Sequence, residues 1–104
     1  MSDSGSYDRG ARARHIASLL QEYKQRATFA TVAGVVGGIA RGVGRLLGER
    51  NRTNSWVVNA KTGMPTGYRE GQIDPELLRR LHEPIIRTSQ ELREFLSKRG
   101  EGAV

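Results

Sequence analysis

The chain has 104 residues, of which 37% are hydrophobic, and its 17 basic and 11 acidic side chains give a net charge of +6. This length fits one small domain with a modest core, and the absence of cysteine excludes disulfides, thiolate metal sites and a cysteine nucleophile. Glu22 and Glu49 are the only acids between residues 9 and 52, so the basic excess belongs to the N-terminal half. Such a field favours a polyanion, and arginine, which is much commoner here than lysine, suits phosphates and base edges.

Three helices are predicted in this basic half. The first covers residues 11 to 25, the second follows a cap at Thr28 and stops at Gly37-Gly38, and the third covers Ile39 to Leu47 before Gly48. The residues expected to face inward recur at helical spacing and are Ile16, Leu19, Leu20 and Tyr23, then Phe29, Val32, Ala33 and Val36, then Ile39, Val43, Leu46 and Leu47. Two short helices joined by a glycine turn after a leading helix have helix-turn-helix spacing.

A β-hairpin, the wing of such a domain, is predicted next. Trp56 to Val58 favour a strand, Lys61 to Gly63 supply a turn, and Met64 to Tyr68 return as a second, proline-limited strand.

Two more helices are predicted towards the C-terminus. Asp74 caps the first, Pro75 to His82, with proline at its first position. Thr88 to Glu91 form a capping box for the last, which reaches about Arg99.

The predicted fold class is mainly α with a small β-hairpin. A disordered N-terminus over residues 1 to 10 precedes a winged helix-turn-helix over residues 11 to 84, and a C-terminal helix and tail occupy residues 85 to 104. MSDSGSYDRG has neither an apolar signal core nor a spanning segment, so we expect a soluble, cytoplasmic, nucleoid-associated protein.

Nothing in the sequence resembles a catalytic constellation. The glycine-rich stretch lacks the spacing of a phosphate-binding loop, and GVGRLLG does not match a dinucleotide-binding fingerprint. His15 and His82 are far apart and show no metal-ligand pattern. We therefore expect no enzyme activity, no cofactor and no metal.

Gly42 and Gly44 lie inside the predicted third helix, where each costs about 1 kcal/mol relative to alanine. Close approach would explain them. Either another helix packs against that face, or the helix lies against nucleic acid, where side chains would obstruct it. These residues alone leave both alternatives open.

A series of short motifs runs through about residues 13 to 83. They are Thr28-Phe29, Ala33-Gly34, Ala40-Arg41-Gly42-Val43-Gly44, Thr53-Asn54-Ser55-Trp56-Val57-Val58, Gly63, Gly67-Tyr68-Arg69-Glu70-Gly71 and His82-Glu83. In order and spacing they resemble the helix starts, recognition helix, active-site motif and wing end of the C-terminal DNA-binding domain of alkylguanine-DNA alkyltransferases and alkyltransferase-like proteins.

This resemblance implies a recognition helix in the DNA minor groove. Arg41 would be the finger that replaces an extruded nucleotide, while Gly42 and Gly44 would let the helix approach. The family's reactive cysteine aligns with Asn54 and its neighbouring histidine with Ser55, so alkyl transfer is chemically impossible here.

Two further departures concern the binding of a flipped base. Phe29 replaces the family tyrosine that disturbs the target phosphate, and Arg69 replaces a small residue of the lesion pocket, where a long cation would fill the pocket or reach a phosphate. Core packing is the alternative role for Phe29 and Trp56.

The sequence therefore predicts a non-enzymatic binder of double-stranded DNA. Its candidate contact residues are Thr28, Phe29, Arg41, Gly42, Gly44, Arg45, Arg50, Arg52, Lys61, Tyr68 and Arg69. A lesion sensor for alkylated bases and a protein-interaction module that docks a partner through its C-terminal helix are the alternatives. No membrane partner is expected, the oligomeric state is not determined, and phosphate attraction does not distinguish DNA from RNA.

Overall fold

Five α-helices and a small parallel sheet make up residues 8 to 99, the part of the chain that the computed structural model describes. The helices are α1 (Arg9–Glu22), α2 (Phe29–Val36), α3 (Ala40–Leu47), α4 (Pro75–Arg79) and α5 (Ser89–Lys98). The strands are β1 (Arg26–Thr28), β2 (Val57–Val58) and β3 (Ile85–Ile86), and short 3₁₀ turns cover Asn54–Trp56 and Glu70–Gln72. The disorder expected for residues 1 to 10 falls mostly outside the described residues; Arg9 and Gly10 already belong to α1.

The helix starts follow the predicted caps. Thr28 Oγ1 accepts the N–H of Thr31 at 3.1 Å, and an Asp74 carboxylate oxygen accepts that of Glu76 at 3.0 Å. Thr88 Oγ1 accepts the N–H of Glu91 at 3.1 Å. Each bond satisfies a donor that the first turn of a helix leaves unpaired, which is why these residue types mark the boundaries.

A glycine turn separates α2 from α3. Gly37 and Gly38 have φ values of 99° and 93°, which only glycine adopts readily, and the two helices are bent by 83° at this break. In the described part of the chain no single helix has the length and apolar content to cross a membrane; α2 and α3 meet that test only as this bent pair.

The sheet corrects the predicted hairpin. Its order is β2-β1-β3 and both pairings are parallel, with Ala27 opposite Val57 and opposite Ile86. Met64 to Tyr68 form no strand. The turn after β2 closes through two bonds between Asn59 and the backbone of residues 63 and 64, and Pro65 cannot donate to a ladder, so β2 pairs with buried β1 instead.

A single core joins the helices and the sheet. Its largest fully buried side chains include Trp56, Ile16, Leu20, Leu77 and Leu92. α5 packs on α2 and contributes to this core together with β3, so residues 85 to 99 belong to the same unit as the preceding residues.

Arg26, on β1, is 3% exposed and holds the loops around the sheet in place through hydrogen bonds. Its guanidinium donates to four carbonyl oxygens, those of Gly63 (2.9 Å), Arg80 (3.2 Å), Leu81 (3.1 Å) and Glu83 (2.6 Å). Burial, and then the positive charge of Arg87, lower the pKa of Arg26, against the opposing effect of Glu83. The charge is therefore held by backbone dipoles, which fix the position of the turn at Gly63.

Candidate nucleic-acid interface

α3 forms one wall of a groove of about 990 Å³. Residues at the start of α2 and six residues between positions 59 and 72 complete its lining. Eight of the predicted contact residues line this groove: Thr28, Phe29, Arg41, Gly44, Arg45, Arg50, Lys61 and Tyr68. The fold thus brings together side chains that are spread over about 40 residues of sequence.

The surface of α3 divides into three stripes. Ala40, Gly44 and Gly48 follow one another at intervals of four along the groove side, beside Arg41 and Arg45, which are also one turn apart. Val43 and Leu47 are buried and hold the helix on the core. The third stripe is Ile39, Gly42 and Leu46, spaced by three and four residues. We expected Ile39 to face inward, but it is 66% exposed because it caps the helix tip, ahead of the first turn that reaches the core.

The bare surface at Gly42 and Gly44 bears on the two explanations offered for them. A Cβ added at either glycine would meet no described atom within 4 Å beyond its own helical turn. Gly34 differs, because a Cβ there would lie 2.9 Å from Ser89 Oγ at the contact between α2 and α5. Gly34 is therefore a packing glycine, whereas no described helix packs on Gly42 or Gly44.

The groove carries a cationic lining. Arg41, Arg45, Arg50 and Lys61 are exposed, and Glu49 is the one acid among the described lining residues. Charges of one sign along a concave surface focus the potential and attract anions.

Tyr68, in the groove lining, is linked through Asn54 to the C-terminal end of α3. Its hydroxyl donates to Asn54 Oδ1 at 2.5 Å, and the Asn54 amide donates to the carbonyls of Leu47 (3.3 Å) and Glu49 (2.9 Å). Burial raises the pKa of Tyr68, and the positive charge of Arg50 only partly offsets this. The neutral phenol therefore remains a hydrogen-bond donor well into the alkaline range.

Arg50 lies over this network. Its guanidinium carbon is 5.7 Å from the centre of the Tyr68 ring, and a Cβ added to Gly67 would lie 3.1 Å from Arg50 Nη2. Gly67, at φ 76°, thus leaves room for the Arg50 guanidinium.

The remaining predicted contact residues have other surroundings. Arg52 Nε donates to the Gly71 carbonyl at 3.4 Å, and exposed Arg69 flanks the turn Glu70–Gln72, where its N–H donates to Gln72 Oε1 at 2.8 Å. With Gly42, these are the three predicted residues that are not among the groove-lining side chains.

Two groove-lining residues also have structural roles. Thr28 is 3% exposed and its hydroxyl is hydrogen-bonded to Thr31, so it caps α2. Phe29 is half-buried and packs on the core while its remaining surface faces the groove, which combines the two roles that its sequence position left open.

The segment that resembles an active-site motif is buried and fully used for structure. Asn54 and Ser55 are 3% and 0% exposed. Ser55 Oγ donates to the Arg52 carbonyl at 2.7 Å and accepts the N–H of Asp74 at 3.1 Å. Trp56 is a core residue, with its indole N–H donating to Asp74 Oδ2 at 3.0 Å.

Asp74 is hydrogen-bonded to Ser55, Trp56 and the first turn of α4. Burial by itself raises the pKa of Asp74, but hydrogen bonds from the Glu76 backbone, Trp56 and Gln21, together with the charge of Lys24, lower it on balance. Asp74 therefore acts as an ionised anchor for Trp56 and as the cap of α4.

Sequence reasoning missed part of this surface. Asn59, Ala60 and Gln72 line the groove although no motif singles them out, because their place depends on the turn after β2. Arg9 and Arg14 of α1 also lie beside α3. Their only signal in the sequence is the basic character of the N-terminal half.

Within residues 8 to 99 no cluster of three or more His, Asp or Glu side chains is arranged to hold a metal ion. Comparison of the chain with protein-family models, with curated proteins and with solved structures gave no significant match. The resemblance to alkyltransferase DNA-binding domains therefore depends on the motifs quoted above.

Proposed function

We propose that the protein binds duplex DNA without catalysing a reaction, and that α3 enters the minor groove with Arg41 inserted or lying along it. The proposal assigns the domain to the winged helix-turn-helix class. In this assignment α2 and α3 are the paired helices, and residues 59 to 72 take the place of the wing. The turn after β2 would then approach one DNA strand.

The observation that carries this proposal is the bare, cationic surface of α3, with Gly44 on the groove side and Gly42 on the side facing away from the groove. A helix with its side chains is about 10–12 Å across, whereas the B-DNA minor groove is about 6 Å wide. Gly42 and Gly44 narrow the helix where no described protein atom fills the space, and Arg41 and Arg45 project beside them. Such glycines are costly for the helix, and close approach to DNA explains why they stand there.

One observation supports the lesion sensor as a second candidate. Arg69 would oppose it by filling the pocket, but Arg69 is exposed and is not among the groove-lining residues. The groove of about 990 Å³ that remains between Phe29 and Tyr68 has room for an extruded base.

The interaction module has less support. Leu92, Phe95 and Leu96 of α5 are buried in the protein's own core. A partner that used this helix would have to bind its polar face.

The experiment is fluorescence anisotropy with plain duplex, duplex containing methylated guanine, and single strand, each across a salt series. We expect duplex binding whose affinity falls with salt, and a loss of about 1–3 kcal/mol in Arg41→Ala. Arg79→Ala is the matched control, because Arg79 is an exposed arginine on α4 outside the groove lining.

The outcomes separate the candidates. Equal affinity for the two duplexes supports a general binder, and tighter binding to methylated duplex supports the lesion sensor. Equal losses in Arg41→Ala and Arg79→Ala would show that only net charge matters and would remove α3 from the proposal. No binding to any nucleic acid at low salt would refute it and direct attention to a protein partner.

A further inference from the structure

On the side of α3 that faces away from the groove, the start of the helix is also open. Ile39 is 66% exposed and Gly42, one turn further on, has no described atom within 4 Å of a built Cβ beyond its own helix. Both belong to the stripe that does not line the groove. The first turn of α3 therefore has accessible surface on two sides, while Leu46, further along the same stripe, packs against the core.

Two arginines of α1 border this second side. Arg14 Nη1 donates to the Leu46 carbonyl at 3.0 Å, and a Cβ added to Gly38 would lie 3.2 Å from Arg9 Nη1. Arg9 is thus next to the tip of α3 and Arg14 next to its last turn. Both arginines are exposed, and neither is among the residues that line the groove.

The position of Arg9 is unfavourable for α1 itself. Arg9 is the first residue of α1, where the helix dipole disfavours positive charge, and the first turn of α1 contains no acid; Arg14 lies beyond that turn. Asp8, just before the helix, is engaged as the cap, accepting the N–H of Ala11 at 3.0 Å. The dipole of α1 therefore does not explain the charge of Arg9, whereas a nearby anion would; Arg14 is placed by its bond to the Leu46 carbonyl in the last turn of α3.

We infer that Arg9 and Arg14 bind the second DNA strand, so that α3 lies in the minor groove between two basic flanks. The groove flank, Arg45 and Lys61, contacts phosphates of one strand, and the α1 flank, Arg9 and Arg14, contacts those of the other. This inference rests on the proposed function and deepens it. Because both strands are needed to engage both flanks, the substrate is double-stranded DNA and single strands engage only one flank.

The test compares two double variants on duplex and on single strand of the same sequence. Arg9→Gln with Arg14→Gln should weaken duplex binding about tenfold or more at moderate salt and leave single-strand affinity within about twofold. Its slope of log affinity against log salt should be smaller by about 1.8, since each lost phosphate contact removes about 0.9. Arg45→Gln with Lys61→Gln should weaken binding to both polymers.

Controls separate charge from structure. Arg93→Gln matches Arg14→Gln, because Arg93 is also an exposed arginine that donates to a helix carbonyl, that of Gly34 at 3.1 Å. It should leave both affinities unchanged. Arg9→Gln alone keeps the bond from Arg14 to α3 and should give about half of the slope change, and Arg14→Lys, which keeps the charge, should restore most of the affinity.

Two results would overturn the inference: wild-type duplex affinity in the α1 double variant, or equal losses on duplex and single strand. The proposed function fails separately, if the wild-type protein does not bind duplex or if Arg41→Ala binds as well as wild type. If duplex binding depends on Arg41 but is unchanged when Arg9 and Arg14 are replaced, the proposed function stands and only the inference of a second DNA-binding flank is refuted.

Discussion

Replacing the two glycines of α3 by alanine should make the protein more stable and a weaker DNA binder. Gly42 and Gly44 lie in the helix with ordinary backbone angles, and a built Cβ at either position meets no described atom within 4 Å beyond its own turn. Each substitution removes the backbone freedom of glycine in the unfolded chain without creating a clash. Each should therefore stabilise the fold by about 1 kcal/mol.

The double variant should gain about 2 kcal/mol, which in a domain of this size raises Tm by roughly 4–8 °C per kcal/mol. Its duplex affinity should fall about tenfold, or ~1.4 kcal/mol, because two methyl groups hold the backbone of α3 away from the DNA. Thermal unfolding followed by circular dichroism measures the first effect, and anisotropy with a labelled duplex measures the second.

Two other glycines serve as controls. Gly71 has an equally open Cβ position but lies in a 3₁₀ turn outside the groove lining, so Gly71→Ala should not alter DNA binding. Gly48 ends α3 at φ 81°, and Gly48→Ala should destabilise the fold by about 1 kcal/mol despite the open space around it. A stabilised double variant that binds duplex as tightly as wild type would refute the close-approach explanation, and a destabilised one would refute the assignment of open space.

Three further substitutions test the supports of the site. Arg26→Met leaves one buried and three partly buried carbonyls without their donor and should cost on the order of 3 kcal/mol in urea unfolding; a loss below about 1 kcal/mol would mean that these bonds are replaceable. The pKa of Asp74 in the folded protein is lowered from 3.8, so the stability that its ionised carboxylate contributes is complete above pH 3.8 and is lost as pH falls through the folded-state pKa. Asp74→Asn should therefore be less stable at neutral pH, and its free energy of unfolding should depend less steeply on pH in the acid range. An unchanged acid profile would contradict this assignment. Tyr68→Phe should remove an alkaline step of the tyrosine absorbance titration, because burial raises the pKa of Tyr68, and an unchanged alkaline step would contradict this assignment.

The residues at which the helices begin and end were predictable from the sequence. Thr28, Asp74 and Thr88 cap helices as predicted, and the glycines at 37, 38 and 48 end them, because these signals act through bonds and backbone angles within about four residues. The mainly helical class followed from the same signals.

The sheet was decided by tertiary structure. A parallel pairing of β1 with β2 and β3 joins segments about 30 and 60 residues apart, and three-residue or two-residue strands carry no periodicity of their own. The Val57–Val58 pair was therefore assigned to a hairpin that does not form. Arg26 was counted only as part of the basic excess, although its guanidinium is held inside the protein by carbonyls distant in sequence.

The candidate site shows the same division. The sequence alone supplied the residue types, an arginine and two glycines within one turn of helix, and it left packing and DNA approach as equal explanations for Gly42 and Gly44. Only the tertiary structure showed that no described helix covers those glycines and that the groove side chains converge beside them. The physical reason is that exposure belongs to the packed chain: the same spacing that buries Val43 leaves Ile39 in solvent at the tip of the helix.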